Sequence, residues 1–106
     1  MDDKPTISTH ILDTERGVPA QGVEVVLYHL TPGGDREVGR GVTDADGRIR
    51  RLLETTLERG NYRIEFRAGG AFFVSITMVF RVGDPGRSYH VPLLMAPYSI
   101  ASYRGS

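Results

Sequence analysis

Residues 62–67 read YRIEFR, so that Tyr62, Ile64 and Phe66 alternate with Arg63, Glu65 and Arg67. A period of two puts the apolar side chains on one face of an extended chain and the charged ones on the other, the pattern of a half-buried antiparallel strand. Residues 72–82, FFVSITMVFRV, repeat it: Val74, Ile76, Met78, Phe80 and Val82 share a face, with Ser75, Thr77 and Arg81 opposite. Further strands are predicted over 6–12 (TISTHIL), 23–30 (VEVVLYHL), 37–43 (EVGRGVT), 48–53 (RIRRLL), 88–96 (SYHVPLLMA) and 100–105 (IASYRG). Between them lie TPGGD, DADG, ERGN, GDPGR and AP, residues that supply positive φ or a pre-set turn. Short strands with such punctuation predict an all-β sandwich or barrel. The competing helix is RRLLETTLER (50–59), where Leu52, Leu53 and Leu57 would share a face. The ADG just before it reads better as a turn feeding a strand.

The 106 residues suffice for one domain, residues 1–106, with a single core. Apolar residues at 40% and charged residues at 25% are ordinary for a globular chain and too hydrophobic for a disordered one. Thirteen Lys and Arg balance thirteen Asp and Glu. No net field therefore draws in nucleic acid or an anionic membrane, and neither is expected as a partner. The absence of cysteine excludes a disulfide framework and a thiolate metal site. The opening MDDKPTISTHILD has acidic residues where a signal peptide needs positive charge, and no apolar run approaches a membrane span. A cytoplasmic location is the expectation.

Chemistry has few candidates. His10 shares its strand face with Ser8 and Leu12, and His90 shares its own with Pro92 and Leu94. Imidazole takes and gives protons near neutrality, so two of them beside an arginine and a hydroxyl would make a hydrolytic site. Arg48, directly after the DADG turn, is the candidate donor. Each of these side chains also has an ordinary reading, as a half-buried histidine or a solvated arginine, and parity alone does not bring them together. No HxH or HExxH spacing supports a metal site, no GxSxG elbow supports a nucleophilic serine, and Gly33-Gly34 and Gly69-Gly70 read as turns.

STHILDTERGVPAQGVEVVLY (8–28), TDADGRIRRLL (43–53) and YHVPLLMAPYSIASYRGS (89–106), in that order, resemble the transthyretin-like proteins that act as 5-hydroxyisourate hydrolases. The most diagnostic piece is the tail YRGS, which separates those hydrolases from the hormone-carrying transthyretins of the same fold. The resemblance implies a prealbumin-like sandwich of two four-stranded sheets and a homotetramer, a dimer of dimers whose sites lie where dimers meet. It implies hydrolytic opening of 5-hydroxyisourate to 2-oxo-4-hydroxy-4-carboxy-5-ureidoimidazoline in urate catabolism, without a metal or other cofactor. The family's pattern falls on His10, Arg48, His90, Tyr103, Arg104 and Ser106. His10 and His90 would position and deprotonate water, and Arg48 and Arg104 would hold substrate oxygens. Tyr103 would contact the flat ring, while Ser106 would orient water or a histidine.

Two departures stand out. The family's short helix has no room between RAGG and AFFVSITMVF, so it is expected to be missing. Ile100 and Ala101 stand where an aromatic and a small polar residue are more typical, which affects stability or assembly and leaves the site positions untouched. The alternatives are a transthyretin-type carrier without catalysis, and a plain β-sandwich interaction module. The carrier shares the fold, so the site decides.

Overall fold

The computed structural model describes residues 4–105, and among them it contains nine strands and no helix. The strands are β1 (Ile7–Asp13), β2 (Val18–Pro19), β3 (Glu24–Thr31), β4 (Gly34–Val42), β5 (Arg48–Ile49), β6 (Gly60–Arg67), β7 (Ile76–Val82), β8 (Tyr89–Ala96) and β9 (Ser99–Ser102). They form two sheets. The first runs β2-β1-β8-β9, with the two-residue β5 lying beside β1, and the second runs β4-β3-β6-β7. The sandwich is therefore transthyretin-like, with one short strand more than two sheets of four.

Parity sets what each sheet buries. In β6, Tyr62, Ile64 and Phe66 are fully buried. In β7, Ile76 and Val82 are buried while Thr77, Val79 and Arg81 are exposed. The first sheet contributes Ile7 and Ile11 of β1 and Tyr89 and Leu93 of β8 to the same core. The outward positions of those two strands are Ser8, His10 and Leu12, and His90 and Leu94.

The β1–β8 pair is parallel, in a register that sets Ser8 opposite His90, His10 opposite Pro92 and Leu12 opposite Leu94. A slip of one residue would turn Ile7 and Ile11 out of the core, so burial locks this register. The other edge of β1 is shared. Thr9 and His10 face Ile49 and Arg48 of β5, and Leu12 and Asp13 face Pro19 and Val18 of β2.

Three expected strands are shorter than the sequence suggested. Residues 50–53 do not continue β5, and 50–59 is not a helix. Leu52 donates its N–H to the Ile7 carbonyl in the first sheet, and Glu54 donates to the Val38 carbonyl in the second. A segment whose backbone bonds are divided between two sheets cannot run along either. It closes the open side of the sandwich instead, burying Leu52, Leu53 and Leu57. Residues 72–75 likewise stay outside β7, because pairing with β6 ends at Phe66 and Ile76. The Phe73 carbonyl is taken by a turn bond from the Gly70 N–H. Phe72 packs edge-on against Phe73, their centroids 4.9 Å apart, and Val74 is 80% exposed. The tail ends β9 at Ser102, and Gly105 returns as an isolated antiparallel bridge to His90.

Candidate active site

The outer face of the first sheet collects most of the chemistry. β1 presents Ser8 and His10, and the turn before β5 delivers Arg48. In that turn Asp44 Oδ1 accepts N–H bonds from Asp46 (2.9 Å) and Arg48 (3.0 Å), while the Gly47 N–H donates to the Asp44 carbonyl. The N–H bond from Arg48 first, then that from Asp46 and the Arg50 guanidinium, hold the Asp44 carboxyl below its usual range. Gly47 adopts φ +74°, and a side chain there would also overlap the Ile11 carbonyl. Only glycine fits on both counts. The Gly47 carbonyl accepts the Ile11 N–H at 2.7 Å, which ties the turn to β1 and sets Arg48 opposite His10.

β8 supplies His90. Its Nδ1 lies 2.8 Å from Ser8 Oγ. On the other side of the ring, Gly105 donates its N–H to the His90 carbonyl at 2.8 Å, and a methyl group on Gly105 would overlap the ring at Cδ2. The imidazole is thus clasped between Ser8 and the tail. Its pKa is lowered, first by burial of the ring and then by the positive field of Arg48 and the neighbouring His10. At neutral pH the ring is uncharged and able to accept a proton.

Two hollows meet at this ring. One, of about 290 Å³, is lined by Ser8, Thr9, Arg48, Arg50, Ser88, Tyr89 and His90. The other, of about 280 Å³, lies between β7, β8 and the tail, and includes Tyr103 and Arg104 together with Tyr89 and His90. Arg104 places its guanidinium 4.8 Å from the centroid of the Tyr89 ring, and the Tyr89 hydroxyl accepts the Asp84 N–H at 3.0 Å. Ser102 Oγ donates to the Pro92 carbonyl, which fastens the start of the tail. Among the described residues, no carboxylate lies within ion-pair distance of Arg48 or Arg104. None of them forms a group of three or more His, Asp or Glu placed to hold a metal ion.

His10, Arg48 and His90 therefore stand together, with Tyr103 and Arg104 in the adjoining hollow, and Ser106 lies outside the described residues. The third histidine, His29, belongs to the second sheet, where it is buried and stacked on Tyr62 with centroids 4.5 Å apart. Ser8, Asp44 and Tyr89 went unremarked as site residues in the sequence. Ser8 shares a face with His10 by parity, but the partner that gives it meaning is 82 positions away.

The chain matches the model of the HIUase/Transthyretin family over residues 7–105. It belongs to that family. Among relatives, the 5-hydroxyisourate hydrolase of Deinococcus radiodurans is 40% identical over 119 aligned residues that cover 100% of both chains. That alignment is 13 positions longer than the 106 residues of this chain, so 13 residues of that relative have no counterpart here. Among solved structures, the Klebsiella pneumoniae 5-hydroxyisourate hydrolase superposes with a TM-score of 0.84 at 34% identity, covering 96% of this chain and 99% of that one. Sea bream transthyretin in complex with thyroxine superposes with a TM-score of 0.86 at 30% identity, covering 93% of each chain. Hydrolase and thyroxine-binding protein share this backbone equally well. Only side chains can separate them.

Proposed function

We propose that the protein is a 5-hydroxyisourate hydrolase of urate catabolism, yielding 2-oxo-4-hydroxy-4-carboxy-5-ureidoimidazoline. The observation that carries the reading is His90 clasped between Ser8 and the tail, beside His10 and an arginine free of carboxylate partners among the described residues, with burial and the neighbouring positive charge lowering its pKa. A carrier channel for an apolar ligand has no use for such a set.

In the mechanism, neutral His90 takes a proton from water as the oxygen attacks a ring carbonyl. The cyclic C–N bond then breaks, and the departing nitrogen receives a proton, with His10 sharing the acid and base work. Arg48 binds the oxygen on which negative charge builds, and a donor already in place needs no reorganisation at the moment of reaction. Arg104 and Tyr103 hold the flat ring from the adjoining hollow, and Ser106 orients water or a histidine. No metal or other cofactor is required by these steps. Exposed Val79 and Tyr103 beside the second hollow support assembly into a homotetramer, a dimer of dimers with sites where dimers meet. The balanced charge supports a protein without nucleic-acid or membrane partners, and the cytoplasmic location belongs to the same proposal.

The deciding experiment follows the ultraviolet absorbance of freshly generated 5-hydroxyisourate with and without protein. Decay well above the spontaneous rate, unaffected by chelator, is expected. Decay at the spontaneous rate would leave the transthyretin-type carrier as the better reading.

A further inference from the structure

We propose that Ser8 is a positioning residue that fixes both the ring orientation and the tautomer of His90, keeping the proton on Nδ1 and the lone pair of Nε2 facing the cleft. The inference rests on the reading of His90 as the base.

Three features of the geometry lead there. Nδ1 is the ring nitrogen beside Ser8 Oγ, at 2.8 Å. The Cδ2 edge packs against Gly105, where even a methyl group would not fit. With these two corners held, Nε2 and Cε1 are the atoms left to face away from the sheet. A 180° flip of the ring would carry Nδ1 to the Gly105 side and break the Ser8 contact.

The charges in the cleft then select the tautomer. The charged side chains beside His90 there are Arg48 and Arg50, guanidiniums that only donate and never accept; Arg50 is paired with Asp44 at 3.1 Å, so the unanswered charge is that of Arg48. An Nε2–H aimed among them would oppose their field, whereas a lone pair complements it. The Ser8 hydroxyl can accept from Nδ1–H while giving its own hydrogen to water at the half-exposed rim. The ring nitrogen opposite the reacting one is the usual place for a neighbour to set the tautomer. Serine does so here without adding charge, so it raises the imidazole pKa far less than a carboxylate would. The other titratable or charged groups around the ring are His10 on β1, Arg81 on β7, Tyr89 on β8, and Tyr103 and Arg104 in the tail.

The test uses the full chain, uniformly labelled with ¹⁵N, and reads the ring nitrogens of His90 by long-range ¹H–¹⁵N correlation. The peaks are assigned by their loss in His90→Asn. Wild type is expected to show a protonated Nδ1 and a bare Nε2 at neutral pH, with Ser8→Ala moving toward the Nε2–H form and Ser8→Thr retaining the wild-type pattern. In parallel, Ser8→Ala should lower kcat roughly two- to tenfold, the range of one neutral hydrogen bond, with KM unchanged and the acid limb of the pH–rate profile moved to lower pH. Ser8→Thr should restore both. An Nε2–H tautomer in wild type, or the same tautomer in wild type and Ser8→Ala, would overturn the proposal whatever the kinetics. A wild type without turnover would overturn the hydrolase reading, and the ring spectra would still decide the role of Ser8.

Discussion

The two outer faces of the sandwich carry the same residue types in opposite circumstances. On the second sheet, Arg63 lies between Asp35 and Glu65 and over the ring of Tyr28. Arg40 bridges Glu37 and Glu24, and Arg67 reaches Glu24 and Glu65. Every one of these cations has its charge answered by a neighbour on the same sheet. Beside the first sheet Arg50 is paired with Asp44, but Arg48 and Arg104 have no carboxylate partner among the described residues, and their other neighbours are imidazoles, hydroxyls and the Tyr89 ring. A paired guanidinium is part of the scaffold. One left without an anion is available to a ligand.

The sharpest way to break that contrast is the same substitution on both faces. Arg48→Ala, or His90→Asn, is expected to cut kcat/KM for 5-hydroxyisourate by about 10²–10⁴-fold, the range for loss of an oxyanion donor or a general base. The melting temperature should stay near wild type, because both side chains lie on an outer face. A loss under tenfold would remove these residues from the chemistry.

Next in size is the tail. Deleting Tyr103–Ser106 or making Gly105→Ala should cost on the order of 10²-fold in kcat, since a methyl group at Gly105 must displace the His90 ring and misplacement by about 1 Å carries that penalty. Thermal unfolding should change little, because the tail contributes no buried apolar side chain to the core.

A pH titration gives a smaller and more graded effect. Because His90 in the ligand-free protein is held below the ordinary imidazole range, its base form should persist as pH falls past about 6.5, and kcat/KM should drop only at more acidic pH. The stability consequence has a definite sign. The unfolded chain binds this proton first, so folding stability declines as pH falls from about 6.5 through the lowered folded value. Chemical unfolding across that window should show the decline in wild type and a reduced slope in His90→Asn.

Smallest is Arg63→Ala on the second sheet. Activity should remain within about twofold, because the residue is remote from the site, and the melting temperature should fall slightly, less so in high salt where surface pairs are screened. A large loss of turnover here would erase the distinction between the faces.

The sequence already contained the faces. Alternation in YRIEFR located the core side of β6, and the same parity put Ser8 and His10 outward on β1. The DADG turn was legible because Gly47 and Asp44 follow local rules that need no distant partner. Registers and strand ends were not legible. Residues 50–53 and 72–75 alternate like strands, but a strand lasts only as long as its partner's backbone, and theirs goes elsewhere. The Ser8–His90 contact was hidden for a related reason: parallel pairing carries no local signature, and the register is chosen by Ile7, Ile11 and Leu93 fitting the core. Ser106 had only the resemblance to argue for it.

The parallel pairing of β1 with β8 has a consequence in time. Ser8 and His90 are separated by 82 positions, and at about 5–20 residues per second a ribosome needs roughly 4–16 s to make that stretch. Through that interval the β8 edge of β1 has no partner, while the second sheet, built from near neighbours in sequence, can already form. Non-local pairing of this kind is slow to close. Each newly made molecule therefore passes through a stage in which the residues of the scaffold face have all been made and the reactive face is incomplete, and the β8 edge of β1 is open to chaperones or to another nascent chain.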